Sequence, residues 1–142
     1  MEMIEIEVVV NAPLNVVWDC FNSSEHIVGW NYASDDWHCP ESEVDFQVGG
    51  KFCNKMSAKD GSFSFDFWGY YREIVPQSRL VFSLGEDLGE SRMVEVEFQE
   101  VADGIKVMEK FTPEDQNSAD LQRQGWQMIL NNFKSYCENQ LS

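Results

Sequence analysis

The C-terminal stretch "NSADLQRQGWQMILNNFKSYCE", Asn117–Glu138, decides the fold. Trp126, Ile129, Leu130, Phe133, Tyr136 and Cys137 recur at helical spacing and form one apolar stripe. Gln127, Asn131, Lys134 and Glu138 lie off it. Asn117 suits an N-cap, with Asp120 three residues on. At 1.5 Å per residue, a helix of about 22 residues is roughly 33 Å long, enough to span a curved sheet.

The preceding residues supply that sheet. Ile4, Ile6, Val8 and Val10 alternate with Glu5, Glu7 and Val9, so a first strand is expected over about Met3 to Val10. Asn11-Ala12-Pro13 breaks it, and Pro13 suits a first helical turn. Val16, Val17, Cys20 and Phe21 then predict a short helix ended by Asn22-Ser23-Ser24. A second runs from Ser24 or Glu25 to about Gly29.

From Trp37 to Phe111 the pattern is strands and turns. Val44, Phe46 and Val48 alternate up to Gly49-Gly50, and Phe52, Asn54 and Met56 alternate after it. Asp60-Gly61 marks a hairpin, because it supplies the positive φ angles of a tight turn. "SFSFDFWGYYREIV" and "RLVFSLG" follow, split at Pro76. "SRMVEVEFQEV" and "GIKVMEKF" form a further hairpin around Ala102-Asp103-Gly104. The expected fold is α+β and a single domain, residues 1–142. One strand, two short helices, about five or six antiparallel strands and a long helix build a curved sheet wrapped around that helix.

Composition excludes several function classes. Twenty-five acidic against ten basic residues give a net charge of −15, which argues against nucleic acid and anionic membranes as partners. No apolar run approaches the ~20 residues of a membrane span, so no membrane insertion is expected. Cys20, Cys39, Cys53 and Cys137 form no C-x-x-C pair and suggest reduced thiols in a cytoplasmic protein. Five Trp and ten Phe provide ample apolar surface for a core. Phosphate-binding glycine loops, H-E-x-x-H and G-x-S-x-G are all absent from the sequence.

Ala12-Pro13, Val17-Trp18, Trp30, Gly49-Gly50-Lys51-Phe52, Asp60-Gly61, Gly69-Tyr70, Glu73-Ile74, Pro76, Arg79-Leu80-Val81 and Gly125-Trp126 follow one another in an order that resembles a known family. It is the activator of heat-shock-protein-90 ATPase homologue-like family, within the START-like (Bet v 1-like, SRPBCC) helix-grip superfamily. The resemblance runs from about Glu5 to Tyr136. It implies a hydrophobic cavity between sheet and long helix, a feature associated with lipids, sterols or polyketide-like aromatics. It carries no shared catalytic set. The eukaryotic cochaperones that name the family have an additional domain with no counterpart in this sequence, so a chaperone role is not the leading expectation.

Strand parity and the helix stripe select the candidate cavity wall: Trp30, Phe65, Phe67, Phe82, Val96, Phe98, Glu109, Trp126 and Leu130. Glu109 is the informative member. It shares parity with Ile105, Val107 and Phe111, and a carboxyl among such neighbours should have a raised pKa. A bulge turning it outward, or a private salt bridge, is the bland alternative. Trp18 is expected to anchor the first helix, whereas Trp30 fits a cavity wall or plain core equally. Asp66 faces either solvent or a ligand, since both faces of its strand carry aromatics. Gly125 either makes room for a ligand or lets the helix approach the sheet.

His26 is expected at a surface or rim, and His38-Cys39 is not expected to bind metal, because neighbouring strand residues face opposite ways. Glu5, Glu7, Glu95 and Glu97 form a solvated acidic face, or a docking surface for a basic partner. The leading expectation is a binding module for a small hydrophobic or amphipathic ligand, with no cofactor, no metal and no catalytic residue assigned. The alternatives are a cyclase- or hydrolase-type enzyme using Glu109 or Asp66 as base, and a protein-interaction module.

Overall fold

The computed structural model describes residues 3–85, 92–114 and 116–140. Strand β1 (Ile4–Val10) is followed by helices α1 (Leu14–Asn22) and α2 (Ser24–Ile27). Six strands come next: β2 (Trp37–Val44), β3 (Lys51–Ala58), β4 (Ser64–Val75), β5 (Arg79–Leu84), β6 (Met93–Val101) and β7 (Gly104–Phe111). Helix α3 (Ala119–Asn139) completes the order. All strand pairs are antiparallel, in the sequence β1-β7-β6-β5-β4-β3-β2. This is the α+β helix-grip arrangement, a curved sheet holding a long helix.

Local chemistry accounts for the elements and for their small departures from expectation. β1 alternates as anticipated: Ile4, Ile6 and Val10 are buried, whereas Glu5 and Glu7 face water. Pro13 stands at the N-cap of α1 rather than in its first turn, and its carbonyl accepts from the amides of Val16 and Val17. Gly61 adopts φ +80° in the turn after β3, as its Asp-Gly dipeptide requires. Ser118, not Asn117, caps α3, its hydroxyl accepting from the Leu121 amide at 3.1 Å. The expected alternation through Phe46 and Val48 is not a strand. β2 ends at Val44, and Val48 is 64% exposed in the loop that follows. The start of the predicted "SRMVEVEFQEV" strand, Ser91, lies outside the described residues.

Irregular pairing bends the sheet. The register shifts between His38 and Glu41 and again between Tyr71 and Glu73, and such bulges increase local twist. The concave face receives α3. Leu130, Phe133 and Cys137 are fully buried against it, with Trp126, Ile129 and Tyr136 packed alongside. Phe133 meets Phe21 edge-on at 5.2 Å and Trp30 at 4.9 Å, so it joins α3 to α1 and to the residues that follow α2. Polar ties fix the helix along its length. Gln127 donates to the Glu7 carbonyl, Asn132 to the Tyr32 carbonyl, and Glu138 accepts from the Asn11 amide.

The convex face is acidic but partly neutralised from within. The Arg79 guanidinium reaches Glu73, Glu95 and Glu97 at 3.1, 2.7 and 2.7 Å. Lys106 lies 3.4 Å from Glu7. Gly125 fits neither expectation, since a Cβ there would meet nothing within 4 Å and the residue does not line the cavity between sheet and helix.

Two mutations test this packing. Phe133→Ala should cost ~3–5 kcal/mol in denaturant unfolding, since the residue is fully buried where α3 meets Phe21 of α1 and Trp30. Gly125→Ala should instead stabilise by ~0.5–1 kcal/mol, because helix propensity improves with no steric cost. A destabilised G125A protein would show that the helix has a close neighbour at this point.

Candidate functional site

Between the sheet and α3 lies a cavity of about 290 Å³. Its walls come from three places in the chain. The sheet contributes Phe52, Phe67, Tyr71, Leu80, Phe82 and Glu109 from the concave positions of β3, β4, β5 and β7. The helix contributes Trp126, Ile129 and Leu130. Phe21, Ile27 and Trp30 close the end formed by α1, α2 and the residues after them. Phe65 marks the open side: it lines the cavity yet remains 45% exposed, and it packs near Trp37 and Phe63 in a cluster of three rings.

Aromatic packing holds these walls in place. The Trp126 indole stacks on Phe111, with centroids 3.9 Å apart and an interplanar angle of 8°, and meets Phe67 edge-on at 5.9 Å. Phe52 contacts Phe67, Tyr71 and Phe82. Trp30 donates its indole N–H to the Cys20 carbonyl at 2.9 Å, so both ring and polar edge are fixed. Trp30 is thus cavity wall and core at once, and it is buried rather than at the mouth.

Polar groups in the wall divide into two kinds. Asn22 donates to the Trp18 carbonyl, and Asn54 accepts from the Ser42 hydroxyl. Glu109 is different. It is 8% exposed, lies between Val107 and Phe111 on the inward row of β7, and pairs across the sheet with Ile6 and Val96. Its carboxyl makes no hydrogen bond or ion pair with any described residue. Burial alone therefore raises its pKa from 4.5 to about 8, because the charged form loses its hydration.

Seven of the nine expected wall residues come together here: Trp30, Phe65, Phe67, Phe82, Glu109, Trp126 and Leu130. Val96 and Phe98 do not. Both face inward on β6, but Val96 is sealed at 0% exposure and Phe98 sits beneath Trp18 and Phe21, at 5.1 and 5.6 Å. Helix α1 fills the concavity at that end. Trp18 anchors α1 as expected, and Asp66 points to solvent. Sequence reasoning missed Phe52, Tyr71, Leu80 and Arg92. The inward parity of Phe52 and Leu80 was available, and Arg92 shares the parity of Val94 and Val96.

His26 lies outside the cavity, with Nδ1 2.8 Å from the Tyr136 hydroxyl and Nε2 3.6 Å from Asp19. Gly29 permits this pairing, since a Cβ there would lie 2.3 Å from the Tyr136 ring. Among the described residues no cluster of His, Cys, Asp and Glu could hold a metal ion, and no helix is long and apolar enough to cross a membrane.

This architecture has close relatives. The model of the activator of Hsp90 ATPase homolog 1-like family matches residues 11–138. The chain belongs to that family. A solution structure of a member from Aeromonas hydrophila is 40% identical, covers 97% of this chain and 93% of its own, and superposes with a TM-score of 0.89. A Cytophaga hutchinsonii protein is 41% identical over 98% of this chain and 94% of its own, with a TM-score of 0.80. A Nitrosomonas europaea protein shares the fold at 18% identity and a TM-score of 0.80, covering 99% of this chain and 96% of its own. None of the curated proteins matches significantly. The family model thus takes in α1, α2, α3 and every strand that lines the cavity.

The position of Glu109 predicts a pH signature. Between about pH 4.5 and 8 the unfolded chain has lost a proton that the folded protein keeps, so stability falls as pH rises and levels off above 8. Glu109→Gln removes that loss. The variant should gain on the order of a few kcal/mol over the parent at alkaline pH and little below pH 5. The check is denaturant unfolding of both proteins across this range. A difference that does not vary with pH would place the carboxyl in contact with water.

Proposed function

We propose that this protein holds a small apolar or amphipathic molecule in the cavity between sheet and α3, without transforming it. The observation that carries this reading is the cavity itself. Protein interiors are close-packed and leave few voids larger than a water molecule, so a chamber of about 290 Å³ is not a packing residue. Its volume stands near the lower end of the roughly 300–1,000 Å³ of small-molecule sites, and its wall has the usual character: aromatic, with few polar groups.

The composition of the wall favours binding over catalysis. Among the described residues of the lining there is no histidine, cysteine, serine or lysine to act with Glu109. A lone neutral carboxyl donates a hydrogen bond well, whereas a general base also needs its substrate proton within reach. Asp66, the other candidate base, is on the opposite face of β4. Four unpaired cysteines, three of them buried, fit a reducing cytoplasmic setting.

Fluorescence of N-phenyl-1-naphthylamine, a neutral dye that brightens in apolar surroundings, tests the proposal. Saturable binding is expected, with displacement by at least one of fatty acids, sterols or flavonoid-like aromatics. Absence of saturable binding to the folded protein would remove the reading.

A further inference from the structure

A second ionisable side chain suited to binding reaches the cavity. Arg92 immediately precedes β6 and shares the inward parity of Val94 and Val96. It lines the chamber together with Glu109. Its Nε is buried and has no hydrogen-bond partner among the described residues. Leaving a buried donor unpaired costs ~1–3 kcal/mol, more where the group is charged, so its retention calls for a reason.

Acidic partners are not scarce. The chain has 25 acidic residues against 10 basic ones. Arg79 alone engages Glu73, Glu95 and Glu97, while Lys106 and Lys134 pair with Glu7 and Glu138. Glu109 shares the chamber with Arg92, yet only burial acts on its proton affinity; no cation offsets it. The cavity therefore contains a guanidinium that forms no ion pair with an acid among the described residues, its Nε unpartnered, and a carboxyl that burial keeps largely protonated near neutral pH. That pairing of groups suits one class of guest.

We propose that Arg92 is the head-group site of the cavity, binding the carboxylate of a compact amphipathic molecule whose ring body lies against Trp126, Phe67 and Phe82. This rests on the reading of the cavity as a ligand site. A guanidinium presents parallel N–H donors that match the two oxygens of a carboxylate. In an apolar wall such a charge-assisted pair outweighs its counterpart in water. Glu109 in its protonated form adds no opposing charge, and its O–H can donate to a second oxygen on the guest. A volume near the low end of ligand sites favours a body of one or two rings over a sterol.

The test compares 2-naphthoate with its neutral isostere 2-naphthamide, by calorimetry and by the indole signals of the protein in NMR spectra at neutral pH. The parent protein should bind naphthoate about tenfold or more tightly than naphthamide. Arg92→Gln should abolish that preference while leaving naphthamide affinity within about twofold. Its thermal midpoint should not fall, because the variant removes an unpaired buried donor. Equal affinities in the parent protein, or a preference that survives R92Q, would overturn the head-group assignment and leave the cavity reading in place. Binding of neither compound, with N-phenyl-1-naphthylamine also failing to bind, would remove both. The naphthoate–naphthamide comparison in the parent protein does not depend on the variant folding.

Discussion

One helix cannot cover seven strands, and the molecule is organised around that mismatch. At ~4.8 Å between neighbours, seven strands laid flat would be roughly 29 Å wide, whereas a helix with its side chains is about 10–12 Å across. Bulges in β2 and β4 curl the sheet and narrow the gap. Helix α1 fills one end, through Trp18 and Phe21 above Phe98. What remains uncovered between α3 and the concave face, from β3 to Glu109 on β7, is the cavity. Its position follows from where the short helices stop, and its aromatic character from the side chains that must line an uncovered concave face.

This constraint explains which parts of the structure were legible in sequence. Period-two alternation in β1 and β7 and the stripe of α3 each specify which residues face inward, and Glu109 could be placed on that basis. Parity says which face a residue occupies but not how far along the strand the covering helix extends. Val96 and Phe98 have the right parity and the wrong position, because close packing seals the first and α1 lies over the second. Phe46 and Val48 carry a strand-like alternation over too short a span before Gly49-Gly50, and the chain forms a loop there instead. The N-cap of α3 fell one residue from its expected place because Asn117 and Ser118 are both competent caps, and only backbone geometry selects between them.

Arg92 was overlooked for a related reason. Its parity with Val94 and Val96 was visible, but an arginine at the head of a strand is ordinarily exposed, and only the folded chain reveals that its Nε is buried with no partner among the described residues. Glu109 was visible because apolar neighbours flank it on the same strand. The two groups differ in chemistry as well. Neutralisation relieves the buried carboxyl, whereas a guanidinium stays charged at any pH a protein tolerates, and only a counter-charge relieves it.

The pairing of the first strand with the last carries a consequence for how the chain is made. Ile4 lies opposite Phe111 and Val10 opposite Ile105, so β1 has no hydrogen-bonding neighbour until β7, about 100 residues further on, has left the ribosome. At translation rates of roughly 5–20 residues per second, that leaves an apolar strand unpaired for roughly 5–20 seconds. Contacts so distant in sequence also slow the final closure. Glu5 and Glu7 alternate with the isoleucines through this interval. Their charges, spaced along the outer face of a strand still waiting for its partner, deter it from pairing with a neighbouring nascent chain before its own C-terminal half arrives.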